Sequence, residues 1–106
     1  MSPPSQDAPP YRRVLSGRCR DSTRQLLTEA AALGRFAEVA QAVRDIHTRL
    51  AWIPLDFGKP LRDLADLGLQ EHIGTQGPLV VTYGVDEIRR IVCVALPFQI
   101  LPRSGL

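Results

Sequence analysis

A chain of 106 residues suits one compact domain with a modest core. Apolar residues make up 44% and charged residues 23%, which is ordinary for a globular protein, and no run approaches the ~20 apolar residues of a membrane-spanning helix. The N-terminus "MSPPSQDAPPYRR" lacks the basic-then-apolar order of a signal peptide, and two cysteines are few for a secreted disulfide scaffold, so a cytoplasmic chain with free thiols is expected.

In chain order, residues 1–10 carry four prolines with Ser2, Ser5, Gln6 and Asp7, the composition of a disordered leader, and residues 11–106 form a single domain. "YRRVLS", 11–16, reads as a short strand. A first helix is expected over Cys19–Leu33, with Asp21 and Ser22 as caps, Leu26, Leu27, Ala30 and Leu33 at helical spacing, and Gly34 as the stop. A second runs from Arg35 to Ala51, with Phe36, Val39, Ala40, Val43, Ile46, His47 and Leu50 on its apolar stripe and an Asp45–Arg49 pair one turn apart. Only Gly34 separates the two, which predicts an antiparallel helical hairpin.

Pro54 ends the second helix, and "IPLDFGKPLRDL" reads as a connecting loop with Trp52 packed beneath it. "GLQEHI", 68–73, reads as a strand with Leu69, Glu71 and Ile73 on one face and Gln70 and His72 on the other, followed by a turn at "GTQG". "PLVVTYGV" and "RRIVCVAL" read as a strong strand pair joined by a turn at Asp86 and Glu87, and the tail adds one short edge strand before Pro102. The fold class is α+β: an N-terminal strand, a two-helix antiparallel hairpin, then a three- to four-stranded antiparallel sheet. The helices are expected on one face, the other face is left open, and no two neighbouring strands run the same way.

The charge is uneven in kind. Lys59 is the sole lysine, and the other twelve basic residues are arginines, whose planar fork grips phosphate or carboxylate. The same bias arises without function in GC-rich genomes. Arg12, Arg13, Arg18, Arg20 and Arg24 lie close together with only Asp21 among them, a pattern that suits nucleic acid, an acidic partner or a solvated helix face. Arg18 and Arg20 beside Cys19 are of the sign that lowers a thiol pKa, while Cys93 reads as a small buried hydrophobe. His72, with Gln70, is placed on the open face, where a group titrating near neutrality suits a general base. Arg89 and Arg90 alternate across their strand, so one of them is expected on the open face near His72. Lys59 and Arg62 form a basic rim. The two histidines have no ligand spacing for a metal, no cofactor motif is present, and no phosphate loop, nucleophile elbow or carboxylate pair appears.

The early strand "YRRVLS", the helix end "RLAWIPLDFGKPLRDL" and the hairpin "GPLVVTYGVDEIRRIVCVAL", in this order and at this length, resemble the RelE/ParE toxin superfamily over residues 11–101. The resemblance implies a toxin-like component of a type II toxin–antitoxin pair, bacterial in type. It would bind a cognate antitoxin and act on mRNA at the ribosome or on DNA gyrase. Ribosome-dependent members cleave mRNA without metal, using basic residues on the central strands and one near the chain end. That implies His72, Arg90 and Arg103 as catalytic candidates and Arg12, Arg13, Lys59, Arg62 and Arg89 as RNA or partner contacts. The chain departs from the nuclease pattern at Pro78, where such members carry an arginine, and in "GLQEHI", which is not lysine-rich. The other reading is therefore an inactive interaction module on the same fold.

Overall fold

A computed structural model describes residues 9–101 of the chain. Strand β1 (Arg12–Leu15) leads into helices α1 (Gly17–Ala32) and α2 (Phe36–Trp52). A one-turn helix α3 (Pro54–Phe57) and strand β2 (Lys59–Leu64) follow, then a 3-10 turn at Ala65–Leu67. Strands β3 (Leu69–Gln76), β4 (Leu79–Asp86), β5 (Ile91–Val94) and β6 (Gln99–Ile100) complete the chain. The mixed sheet has the order β1-β5-β4-β3-β2, with β6 also on β4. The class, α+β with the helical hairpin on one face, is as the sequence reads. The first eight residues of the expected leader lie outside the described residues.

Each helix forms for local reasons and stays because its stripe is buried. In α1 those positions are Cys19, Leu26 and Ala30; in α2 they include Val39, Ile46 and Leu50. They pack on Leu79, Val81, Tyr83 and Val85 of β4 and on Val92 and Val94 of β5. At roughly 1.5–3 kcal/mol per fully buried aliphatic side chain, this layer dominates the stability. The α1 cap is Ser16 rather than Asp21 or Ser22: its hydroxyl accepts from Cys19 N at 3.0 Å and donates to the Ala95 carbonyl at 2.8 Å. Ser16→Ala is expected to lower the unfolding free energy by about 1–2 kcal/mol, read as a fall in the urea midpoint at unchanged m-value.

Several expectations are corrected. β1 runs parallel to β5, with Arg12 opposite Ile91 and Leu15 opposite Val94. The two strands are joined through the whole helical hairpin and the rest of the sheet, so no tight turn forces them antiparallel. The other pairings are antiparallel. The "loop" after Pro54 holds α3 and edge strand β2; Pro60 and a bulge between Pro60 and Arg62 hid the strand's alternation. β3 runs on through the expected "GTQG" turn to Gln76, and the reversal falls at Gly77, where φ is 55°. Trp52 is 46% exposed, and Leu55 and Phe57 pack on the core instead. Asp45 accepts from Gln41 at 2.9 Å, while the Arg49 guanidinium lies 5.7 Å from the Phe57 ring centre, so the expected pair gives way to two other contacts.

Candidate functional site

Two faces follow from the register. His72 stands opposite Tyr83 and Gly74 opposite Val81, so they share the helix-covered side with the core residues of β4. Glu71 opposite Gly84, and Gly84 opposite Cys93, lie on the other side, as does Arg12 opposite Ile91. This second side, open among the described residues, carries a shallow depression of about 160 Å³ lined chiefly by Leu64, Leu67, Leu69, Cys93 and Leu96, with Glu71 at its wall. Cys93 is half-buried there rather than sunk in the core.

His72 is not on the open face. It is 1% exposed, stacked on Tyr83 at 5.5 Å between ring centres, with Nε2 bonded to the Gln70 amide oxygen at 2.9 Å. Its Nδ1 has no partner among the described residues. A general base must reach the proton it takes, and this ring is closed off from a substrate. The expected strand does not reach Arg89 and Arg90: β5 begins at Ile91, and both arginines lie in the β4–β5 turn, so strand alternation does not set the side of Arg90. The residue adopts φ 54°, its guanidinium lies 4.1 Å from the Tyr11 ring centre, and it donates to the Pro9 carbonyl at 2.7 and 3.0 Å. These contacts tie the start of β1 to the β4–β5 turn. Arg90→Ala is expected to lower the unfolding free energy by about 1 kcal/mol through loss of this cation–π contact and its hydrogen bonds, measurable by chemical denaturation. Arg103 lies outside the described residues.

The contact candidates are dispersed. Arg13 crosses to the helix side and donates to the His47 carbonyl at 3.2 Å. His47 is half-buried on α2, and burial, with Arg13 adding to it, pushes its pKa below the ordinary value. Arg62 is held by Glu71 at 2.9 Å, and the exposed Arg89 stands 3.9 Å from the Asp86 carboxylate. Arg12 on β1 and Lys59 on β2 occupy opposite ends of the sheet order. Four strand spacings make that roughly 19 Å, too far to clamp one phosphate. Cys19 is fully buried, and burial pushes its thiol pKa up, against the lowering expected from its arginine neighbours.

Leu64 and Leu67 of the depression went unassigned from sequence, because Leu64 falls at the end of the expected loop and Leu67 between it and the next expected strand. Their signal was the recurrence Leu61, Leu64, Leu67, Leu69 in a stretch otherwise rich in charge.

The architecture is that of the RelE-like toxin fold. No protein-family model matches the chain, and no curated protein does. Among solved structures, a chain of the RelBE2 toxin–antitoxin complex from Mycobacterium tuberculosis superposes with a TM-score of 0.60 at 22% identity, over 89% of this chain and 94% of that one. At this identity the likeness is one of fold. Among the described residues, no helix is long and apolar enough to cross a membrane.

Proposed function

We propose that the chain is a toxin-like component of a type II toxin–antitoxin pair that acts by binding, its open sheet face taking a cognate antitoxin in the cytoplasm. The shared fold supports the pairing. The composition of the open face carries the reading toward binding. Cleaving RNA without metal requires cations and a base converging on a phosphate whose charge grows in the transition state. Here His72 is enclosed, Arg90 is held on Tyr11, and Arg12 and Lys59 stand at opposite edges. The same face offers contiguous leucine surface, which suits an apolar segment of a protein.

The test is co-expression with the product of the gene directly beside this one. Copurification of the two chains, lost in Leu67→Asp/Leu96→Asp, is the expected result. Induction of this chain alone separates the remaining readings. Growth arrest with codon-specific mRNA cuts would establish the nuclease, and arrest with DNA damage a gyrase poison. Either would overturn action by binding to an antitoxin alone.

A further inference from the structure

The depression on the open face is not isolated. Leu67, which lines it, also lines a second groove with Asp66, Gly68, Asp86, Ile88 and Arg89, at the end of the sheet where β3 begins and the β4–β5 turn lies. The two make one path with apolar walls. Ile88 is 96% exposed and Leu67 67%, so nothing among the described residues covers them. Contiguous bare aliphatic surface of this kind marks a place where something binds.

The path starts beside the point where the described chain begins. Arg90 follows Arg89 in the same turn, and its Nε and Nη2 hold the Pro9 carbonyl at 3.0 and 2.7 Å while its guanidinium lies over the Tyr11 ring. Arg90 is also the one non-glycine residue with positive φ among the described residues. Such a conformation persists where the surroundings over-determine it. Here the contacts that do so fix the place at which residues 1–8 leave the fold.

We propose that residues 1–8, which lie outside the described residues, dock back along this path, so that the chain's own leader masks the open face. The reach suffices. Eight residues in an extended proline-rich backbone cover about 25 Å. From β1 to β3 is three strand spacings, roughly 14 Å, which leaves roughly 10 Å for rounding the end of the sheet. The other end of the described chain leaves from the opposite end of β4, where the Leu101 N–H bonds to the Pro78 carbonyl at 2.8 Å. The composition suits the path as well. Asp7 is the only charged side chain in the segment, and it stands two residues from the clamped Pro9. Exposed Arg89 is next to the clamp, and its own partner, the Asp86 carboxylate, is as far away as 3.9 Å. Pro3, six residues from Pro9 and roughly 19 Å along the chain, reaches the leucines. Pro3 and Pro4 bring apolar surface on a backbone that is already extended, so docking orders few torsions.

Cys93 reports the mask. It lines the depression and is half-buried, whereas Cys19 is fully buried, so iodoacetamide labels Cys93 first in the folded protein. The experiment compares the labelling rate of the full chain, read by intact mass with Cys93→Ser confirming the site, with that of a chain lacking residues 1–8. A short tether holds the segment at an effective concentration of about 1 mM, so a segment affinity as weak as ~0.25 mM slows labelling about fivefold. The shortened chain, which keeps Pro9 and its clamp, should therefore label about fivefold faster, with circular dichroism and the urea midpoint unchanged. A synthetic peptide of residues 1–8 added to it at about 1 mM should restore the slow rate. Pro3→Asp/Pro4→Asp in the full chain should label as fast as the shortened chain. Equal rates in the full and shortened chains overturn the proposal. So does a slow rate that depends on protein concentration, which would place a second copy on the face, or one relieved by removing residues 102–106 instead. The assay needs no antitoxin, so its outcome is independent of the copurification test.

Discussion

Tyr83→Phe is expected to lower the unfolding free energy by about 2–3 kcal/mol, although it removes a single oxygen. That oxygen donates to the Pro54 carbonyl at 2.6 Å and accepts the Gly58 N–H at 2.9 Å, so it satisfies one backbone group on each side of α3. The phenyl ring would keep the stack with Phe57 and His72 but strand both groups, and an unsatisfied buried polar group costs about 1–3 kcal/mol. The same hydroxyl sets an alkaline limit. Burial, partly offset by the Gly58 bond, pushes its pKa up to about 12 from 10. A folded-state pKa above the unfolded one means that the contribution is complete below pH 10 and is lost as pH rises toward 12. Wild-type unfolding free energy should therefore fall across that window by up to about 2–3 kcal/mol, and Tyr83→Phe should lack this fall. Cys19, also raised by burial, adds a loss that begins nearer pH 9 in both proteins, so the difference between their curves is the quantity to read. Parallel curves between pH 10 and 12 would refute the assignment.

Gly58→Ala should cost a similar amount, about 2–3 kcal/mol, by crowding rather than by lost bonds. At φ −106° and ψ 173° the residue is ordinary extended backbone, so conformational freedom is not what selects glycine. Space is: a Cβ there would stand 2.7 Å from the Ile73 carbonyl oxygen and 2.7 Å from the Tyr83 hydroxyl. The Ile73 carbonyl is backbone of β3 and yields only with its strand. Since phenylalanine at 83 removes the second obstacle, Gly58→Ala/Tyr83→Phe should cost about 1 kcal/mol less than the sum of the single changes. Additivity within about 0.3 kcal/mol would show that the two positions do not meet.

The helical hairpin and the β4–β5 pair were legible because their periods are clean: the α2 stripe at spacings of three and four, and the alternation of Leu79, Val81, Tyr83 and Val85. Edge strand β2 was not, since Pro60 and the bulge break the alternation that marks a strand. The case of His72 is more instructive. Its grouping with Gln70, apart from Leu69, Glu71 and Ile73, was correct, yet the side was reversed. Local hydrophobicity favours burying the trio with two aliphatics, but the sheet's inner side is fixed by the partner strand, and the β3–β4 register sets His72 on Tyr83. Arg90 looked available for a similar reason: its partners, Tyr11 and Pro9, are remote in sequence. The candidate site was thus legible as residue types but not as an arrangement, because the arrangement depends on pairings between distant segments.

The parallel β1–β5 pair also bears on assembly of the chain. Ser16 and Ala95, bonded at its far end, are 79 positions apart. Contacts of such separation form late, after local ones have reduced the entropy of closure. The helical hairpin and the β3–β4 ribbon can mature while the N-terminal segment waits, and during that interval the β5 margin is an unsatisfied template. Any substitution that delays β1 prolongs the interval and invites strand capture from a neighbouring molecule, so aggregation during refolding of the full chain should respond to changes in residues 11–16 more than their small share of the native core suggests.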